Sequence, residues 1–160
     1  MHFSVTRDFD ADAAAVAAVL LDPAFQGALT LPDLALPEIV ETSAQKLVLR
    51  YAYVGSIDPI VKKLLGGRKL TWLQTIALDP ATGNGTLSID AEASPGRLTA
   101  NATITIVAAT TPQRTTLTIE GDLRVHVPLV GGSAEKKLVP GVVARLNVEA
   151  DAIAQQLKTG

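Results

Sequence analysis

The chain has no cysteine. That excludes a disulfide framework, a thiolate zinc site and a cysteine nucleophile, and it fits a cytoplasmic protein. Aromatic residues are also scarce: they make up 4% of 160 residues, with one Trp, two Tyr and three Phe, so the core must be largely aliphatic. Charge of one sign is lacking too. Fourteen basic and sixteen acidic residues leave a net charge of −2, which provides no basic field for phosphates and argues against a nucleic-acid partner. The two histidines, His2 and His126, are not spaced as metal ligands, and no motif sets either beside a serine and a carboxylate. Both read as solvent-exposed, and no metal or other cofactor is expected. No basic segment followed by an apolar run opens the chain, so no signal peptide is expected. The uncharged stretch 98–113 is too short and too threonine-rich for the roughly 20 apolar residues of a membrane span. Gly66-Gly67-Arg68-Lys69 lacks the spacing and the Lys-Ser/Thr ending of a phosphate loop. Asp8, Asp10 and Asp12 lack the glycine and the distal glutamate of a calcium hand.

What is present is apolar sequence with clear periods. Hydrophobic residues reach 48%, enough for one domain to bury a core without staples. Phe3, Val5 and Phe9 alternate with polar neighbours as in a half-buried strand. Asp10 or Asp12 can cap an alanine-rich helix over 13–21, and Asp22-Pro23 opens a second short one. Strand-like segments follow at 36–41, 46–54, 69–78, 85–91, 98–107 and 115–127. In the last two, Ala100, Ala102, Ile104 and Ile106, then Leu117, Ile119, Gly121, Leu123, Val125 and Val127, alternate with polar residues. That pattern describes antiparallel strands with one face on a core. In 46–54, the set Leu47, Leu49, Tyr51 and Tyr53 is assigned to the inner face because Arg50 is costly there. Residues 79–85, Ser94-Pro95-Gly96 and Thr111-Pro112-Gln113 carry turn chemistry. Residues 56–67 read as a short apolar helix stopped by Gly66-Gly67. A long helix after Gly131-Gly132, capped by Ser133, carries Leu138, Val142, Leu146, Ala150, Ile153 and Leu157 as an apolar stripe. Lys137, Arg145, Glu149, Asp151 and Gln156 are placed largely off it. Pro140-Gly141 predicts a kink.

The order strand, two helices, six strands, long helix resembles the helix-grip fold of the START-like, birch-pollen-allergen-like superfamily. The local residues carry the resemblance further. They are Val5-Thr6-Arg7-Asp8-Phe9 before an alanine-rich helix, Asp22-Pro23-Ala24-Phe25, Trp72 in the strand after the insert, and Val127-Pro128-Leu129-Val130-Gly131-Gly132 before the last helix. Together they resemble an actinobacterial family known as domain of unknown function 2505. The resemblance spans nearly the whole chain, with 127–132 as its most specific part, and departs at Pro140-Gly141. It implies an α+β domain over 1–160, with a curved antiparallel sheet of about seven strands wrapped around a long C-terminal helix and two short helices after the first strand. It also implies a cavity for a hydrophobic ligand, and no established activity.

The residues point the same way. Inward positions are small at Ala100, Ala102, Gly121 and Ala150, so a sheet closing on a helix should leave space. Arg7 and Gln74 fall in apolar phases, where a polar group needs a partner. Each reads either as a handle for a ligand or, for Arg7 above all, as a side chain whose head reaches water. The cavity candidates are Arg7, Tyr51, Tyr53, Trp72, Gln74, Ile104, Leu123, Val142 and Leu146, with Ile60 and Leu64 as a lid. Two functions stay open. One is a binder or carrier of a lipid-like molecule, acting as a monomer or weak dimer. The other is a cyclase- or dehydratase-like enzyme on a polyketide-like substrate, with Arg7, Tyr51, Tyr53 and Gln74 polarising a carbonyl. A partner-binding scaffold finds no supporting patch. An inward carboxylate would favour the enzyme, and none is expected, because Asp90, Glu120 and Asp122 lie in outward phases.

Overall fold

Five consecutive strand patterns, each with one apolar face, must pool those faces to remove them from water. The computed structural model shows how, and describes every residue except Ser94, Thr111, Pro112 and Gly160. The turns expected at Ser94 and at Thr111-Pro112 lie outside the described residues. The elements run β1 (His2–Phe9), α1 (Ala13–Leu20), α2 (Pro23–Ala28), β2 (Glu38–Thr42), β3 (Lys46–Ala52), α3 (Pro59–Leu65), β4 (Thr71–Asp79), β5 (Asn84–Ala91), β6 (Leu98–Ala108), β7 (Thr115–Val125) and α4 (Gly131–Thr159). The strands form one antiparallel sheet in the order β1-β7-β6-β5-β4-β3-β2. Sequential strands pair, as short connections require, and β1 closes on β7.

The register aligns the apolar residues into rows across the sheet. One row runs Leu47, Ile76, Leu87, Ala102, Gly121, Phe3. A second runs Leu49, Gln74, Ile89, Ala100, Leu123, and a third places Tyr51 beside Trp72 and Ala91. Every β3 residue assigned inward from 47 to 51 is buried. Arg50 lies on the other face, bonded to Glu38 and Glu92. The first row stays close-packed because Gly121 has no side chain: a Cβ there would come within 2.1 Å of the Asn101 carbonyl oxygen.

The helices begin where capping chemistry places them. Asp12, Asp22 and Asp58 accept from the free N–H groups of α1, α2 and α3, and Gly66 closes α3 at a φ of 60°; these ends satisfy otherwise orphaned backbone groups. Several strand and helix ends shift by one or two residues from the sequence reading, and two of the shifts have a clear cause. Strand β2 starts at Glu38 rather than at 36, since Pro37 has no N–H to pair. Helix α4 starts at Gly131, two residues before Ser133, with the Gly131 and Ala134 N–H groups bonded to the Val127 and Val130 carbonyls. This early start needs glycine. A Cβ on Gly131 would sit 2.4 Å from the Val125 carbonyl oxygen, whereas one on Gly132 meets nothing within 4 Å. The helical assignment then runs unbroken through Pro140.

Cover for the sheet is divided along α4. Its C-terminal half packs on β1, β7 and α1, with Leu146, Ala150 and Ile153 buried. In α1, Val16, Ala17 and Leu20 are 0%, 0% and 1% exposed, and α1 packs against both β6 and α4. Ala100, Ala102 and Ala150, beside which space was anticipated, are buried and do not line the main cavity. A matched pair of variants tests the crowding at the start of α4. Gly131→Ala is expected to destabilise by about 2 kcal/mol, because backbone must move. Gly132→Ala is expected to be neutral or stabilising by up to about 1 kcal/mol. Urea unfolding followed by circular dichroism measures both, and equal effects would contradict the crowding.

Candidate ligand-binding cavity

The N-terminal half of α4 stands off the sheet. Between the two lies a partly open cavity of about 450 Å³, within the size range of small-molecule sites. Its sheet wall is Leu70 and Trp72 of β4 and its approach, Ile89 and Ala91 of β5, and Leu98 of β6. Helix α4 contributes Lys137, Leu138, Gly141, Val142, Ala144 and Arg145. A third wall is loop. Residues 32–34, Tyr53, and Ser56 to Asp58 border the space, with Val61 of α3 above them. The loop is stitched in place by backbone bonds: the Ala35 N–H donates to the Ala52 carbonyl, the Val54 N–H to Asp33, and the Tyr53 N–H to Leu70. The Tyr53 hydroxyl donates to the Ser56 carbonyl at 3.2 Å. Across the mouth, Asp58 pairs with Lys137 at 3.5 Å while it caps α3.

The inner end of the cavity is cationic. Arg145 projects from α4 toward the sheet and is 7% exposed. Its guanidinium carbon lies 5.6 Å from the Tyr51 ring centre and 5.5 Å from that of Trp72. The two rings stack at 5.7 Å with an interplanar angle of 24°, a pairing set by their register in β3 and β4. Aromatic faces attract a cation, but they do not satisfy its N–H donors. The Arg145 Nε and Nη2 and the Trp72 Nε1 are buried without a hydrogen-bond partner.

One helical turn further on is Glu149, 4% exposed. It accepts from the Gln26 side-chain amide at 3.0 Å, and the same amide nitrogen also donates to the Leu20 carbonyl. Helix α2 thus reaches under α1 to hold a buried carboxylate. Burial pushes the Glu149 carboxyl up from its ordinary value, while the Gln26 bond and the Arg145 charge oppose the shift. Burial likewise pulls Arg145 down against the charges of Glu149 and Tyr51. The Tyr51 hydroxyl is raised by burial first and by Glu149 second.

Two expectations are corrected here. Arg145 and Glu149 are not on the outer side of α4, and the interior does contain a carboxylate. Lys137, Gly141, Arg145 and Glu149 recur every fourth residue, and so share a helix face beside the apolar stripe. That polar stripe was the available signal. Of the residues anticipated for a cavity, Tyr53, Trp72 and Val142 line it. Tyr51, Gln74, Ile104, Leu123 and Leu146 are buried in the packed core. Arg7 is drawn outward to Asp151, so its head reaches a surface partner rather than the cavity. Helix α3 borders the space through Val61, with Ile60 and Leu64 packed against the core instead. Among the described residues no cluster of His, Asp and Glu is arranged to hold a metal, and no helix is long and apolar enough to cross a membrane.

A curved seven-stranded sheet gripping a long C-terminal helix, with a cavity between them, is the helix-grip architecture of START-like and birch-pollen-allergen-like proteins. Residues 4–157 match the family described as protein of unknown function (DUF2505), and the chain belongs to that family. No curated protein matches the sequence. Among solved structures, the chain is similar to the Zhui aromatase/cyclase from Streptomyces sp. R1128, at 19% identity and a TM-score of 0.68, covering 99% of this chain and 93% of that one. Norcoclaurine synthase from Thalictrum flavum, solved with dopamine and hydroxybenzaldehyde, is similar at 16% identity and a TM-score of 0.68, covering 99% and 87%. Ara h 8.0201 is similar at 17% identity and a TM-score of 0.64, covering 100% and 99%. At these identities the likeness establishes the fold.

The buried carboxylate makes a prediction about pH. Because the folded-state pKa of Glu149 lies above its unfolded value, the folded protein binds that proton more tightly. Stability from this group is greatest below the ordinary carboxylate range, and falls as pH rises through the interval up to the folded pKa. Relative to Glu149→Gln, the wild type should lose stability from pH 4 to pH 8. Urea unfolding of both proteins across that range measures the difference, and a pH-independent difference would refute the assignment.

Proposed function

We propose that this protein binds an apolar, lipid-like small molecule in the cavity between the sheet and the N-terminal half of α4. The observation that carries this reading is the cavity itself: about 450 Å³, walled chiefly by aliphatic side chains and Trp72, in a molecule whose remaining interior is closely filled. Proteins do not leave such apolar volume empty without cost. Burying about 400 Å² of apolar ligand surface would contribute about 10 kcal/mol before the costs of ordering and docking, so micromolar affinity is the reasonable scale. One neighbour of the same fold, norcoclaurine synthase, was solved in complex with dopamine and hydroxybenzaldehyde, which supports small-molecule binding as a use of this space. We assign the whole chain to one binding unit, acting as a monomer or weak dimer, and place it in the cytoplasm on its lack of cysteine.

A cyclase- or dehydratase-like activity is the second reading, and Glu149 is the observation that favours it. Its carboxyl has the raised affinity for a proton that general acid catalysis uses. Against this, Glu149 does not line the main cavity and is engaged by Gln26. Binding is therefore the reading the geometry supports better.

Native mass spectrometry of the purified protein, followed by organic extraction, tests the proposal: a stoichiometric apolar molecule is expected. Gly141 supplies the control. It lines the cavity, and a Cβ there meets nothing within 4 Å. Gly141→Phe is therefore expected to fold, with a helix-favouring replacement, and to fill the space. It should release the bound molecule and weaken binding at least about tenfold. Trp72 is the only tryptophan in the chain and lines the cavity, so its emission reports occupancy. Undiminished binding by Gly141→Phe would place the ligand elsewhere.

A further inference from the structure

The inner end of the cavity is polar, and among the described residues every buried side-chain atom on its wall that lacks a hydrogen-bond partner is a donor. Arg145 is more than nine-tenths buried, lines the cavity, and leaves Nε and Nη2 without an acceptor. Trp72, against which it lies, leaves Nε1 unpartnered as well. A guanidinium presents its donors in a planar fork that matches two oxygens of one group. Glu149, one turn along the helix, does not fill that fork: its Oε1 accepts from Gln26, and the Arg145 Nε and Nη2 remain free. Lys137, the other cation on the wall, is already paired with Asp58. Leaving a buried charge short of hydrogen bonds costs free energy, and an incoming acceptor recovers it.

Resting on the reading of the cavity as a binding site, we propose that its ligand is an amphipathic monoanion: an apolar body with one carboxylate that docks on Arg145. The body occupies the space between Val142, Leu138 and the β5 wall, and the carboxylate takes the inner end, under α4. A dianionic head such as a phosphate monoester fits less well. The single free cation does not neutralise it, and the mouth it must pass carries Asp33 and Asp58. A primary amine is excluded by charge and by having no acceptor for the fork.

A homologous series separates the inference from the reading beneath it. Decanoate, decan-1-ol and decylamine share one chain and differ only in the head. Isothermal titration calorimetry at pH 7.5 is expected to show decanoate binding at least about tenfold tighter than decan-1-ol, with decylamine the weakest. In the double variant Arg145→Met with Glu149→Gln both buried charges are removed together, so neither is left uncompensated. There the acid should lose its advantage, so that the acid and the alcohol bind alike. Wild-type protein that binds alcohol and acid equally, or the amine most tightly, overturns the carboxylate assignment and leaves the cavity reading standing. Binding of none of the three overturns both. A carboxylate preference that persists in the double variant overturns the role of Arg145.

Discussion

One strip of apolar sheet has to be covered, and among the described residues α4 is the long helix that covers it, with α1 beside it. Each of the strands β3 to β7 presents an inner face of Leu, Ile, Val and Ala, and the register lines these faces up into continuous rows. Burial of that surface is the dominant favourable term in the fold. The placement of α1 and α2, the early start of α4 at Gly131 and the closure of β1 on β7 all serve the fit of helix to sheet. The fit is complete over the C-terminal half of the helix and incomplete over the N-terminal half, and the cavity is the remainder.

That division explains why two charges are tolerated inside. Arg145 and Glu149 sit where the packed half of α4 gives way to the open half. Glu149 faces the packed side, where Gln26 and the α1–α2 pair supply a hydrogen bond and exclude water. Arg145 faces the open side, held by two aromatic rings and short of acceptors. A buried ionic group with hydrogen-bonding capacity left over is a poor device for stability. Its position at a cavity makes recognition the better account, in line with the tendency of perturbed titratable groups to mark functional sites.

The fold was largely legible in the chain. Two-residue alternation in 98–107 and 115–127, proline and aspartate at helix starts, and the glycine pairs at 66–67 and 131–132 each describe local geometry that survives in the folded protein. The site was legible only in part. Tyr53, Trp72 and Val142 were found because their phase pointed inward. Arg145 and Glu149 were assigned outward because charged residues usually face water. That reasoning treats α4 as covered on one side. In the structure it is covered on two, by the sheet and by α1 with Gln26 of α2, so the buried arc is wider than the stripe of Leu138, Val142 and Leu146. Arg7 shows the reverse: its phase is inward, but its long side chain reaches Asp151 at the surface.

Sequence alone determined what depends on near neighbours: which segments are strands, which face of each is apolar, where the helices are capped, and the order of elements that defines the helix-grip fold. Tertiary structure decided what depends on distant parts of the chain meeting. The small residues Ala100, Ala102 and Ala150 promised space, yet they are buried and do not line the main cavity. Space opened instead beside Gly141, where the helix stands away from β4 and β5. Whether a charge on α4 is solvated or buried likewise rests on α1 and α2, more than a hundred residues away in the chain. No period in the local sequence encodes that distance.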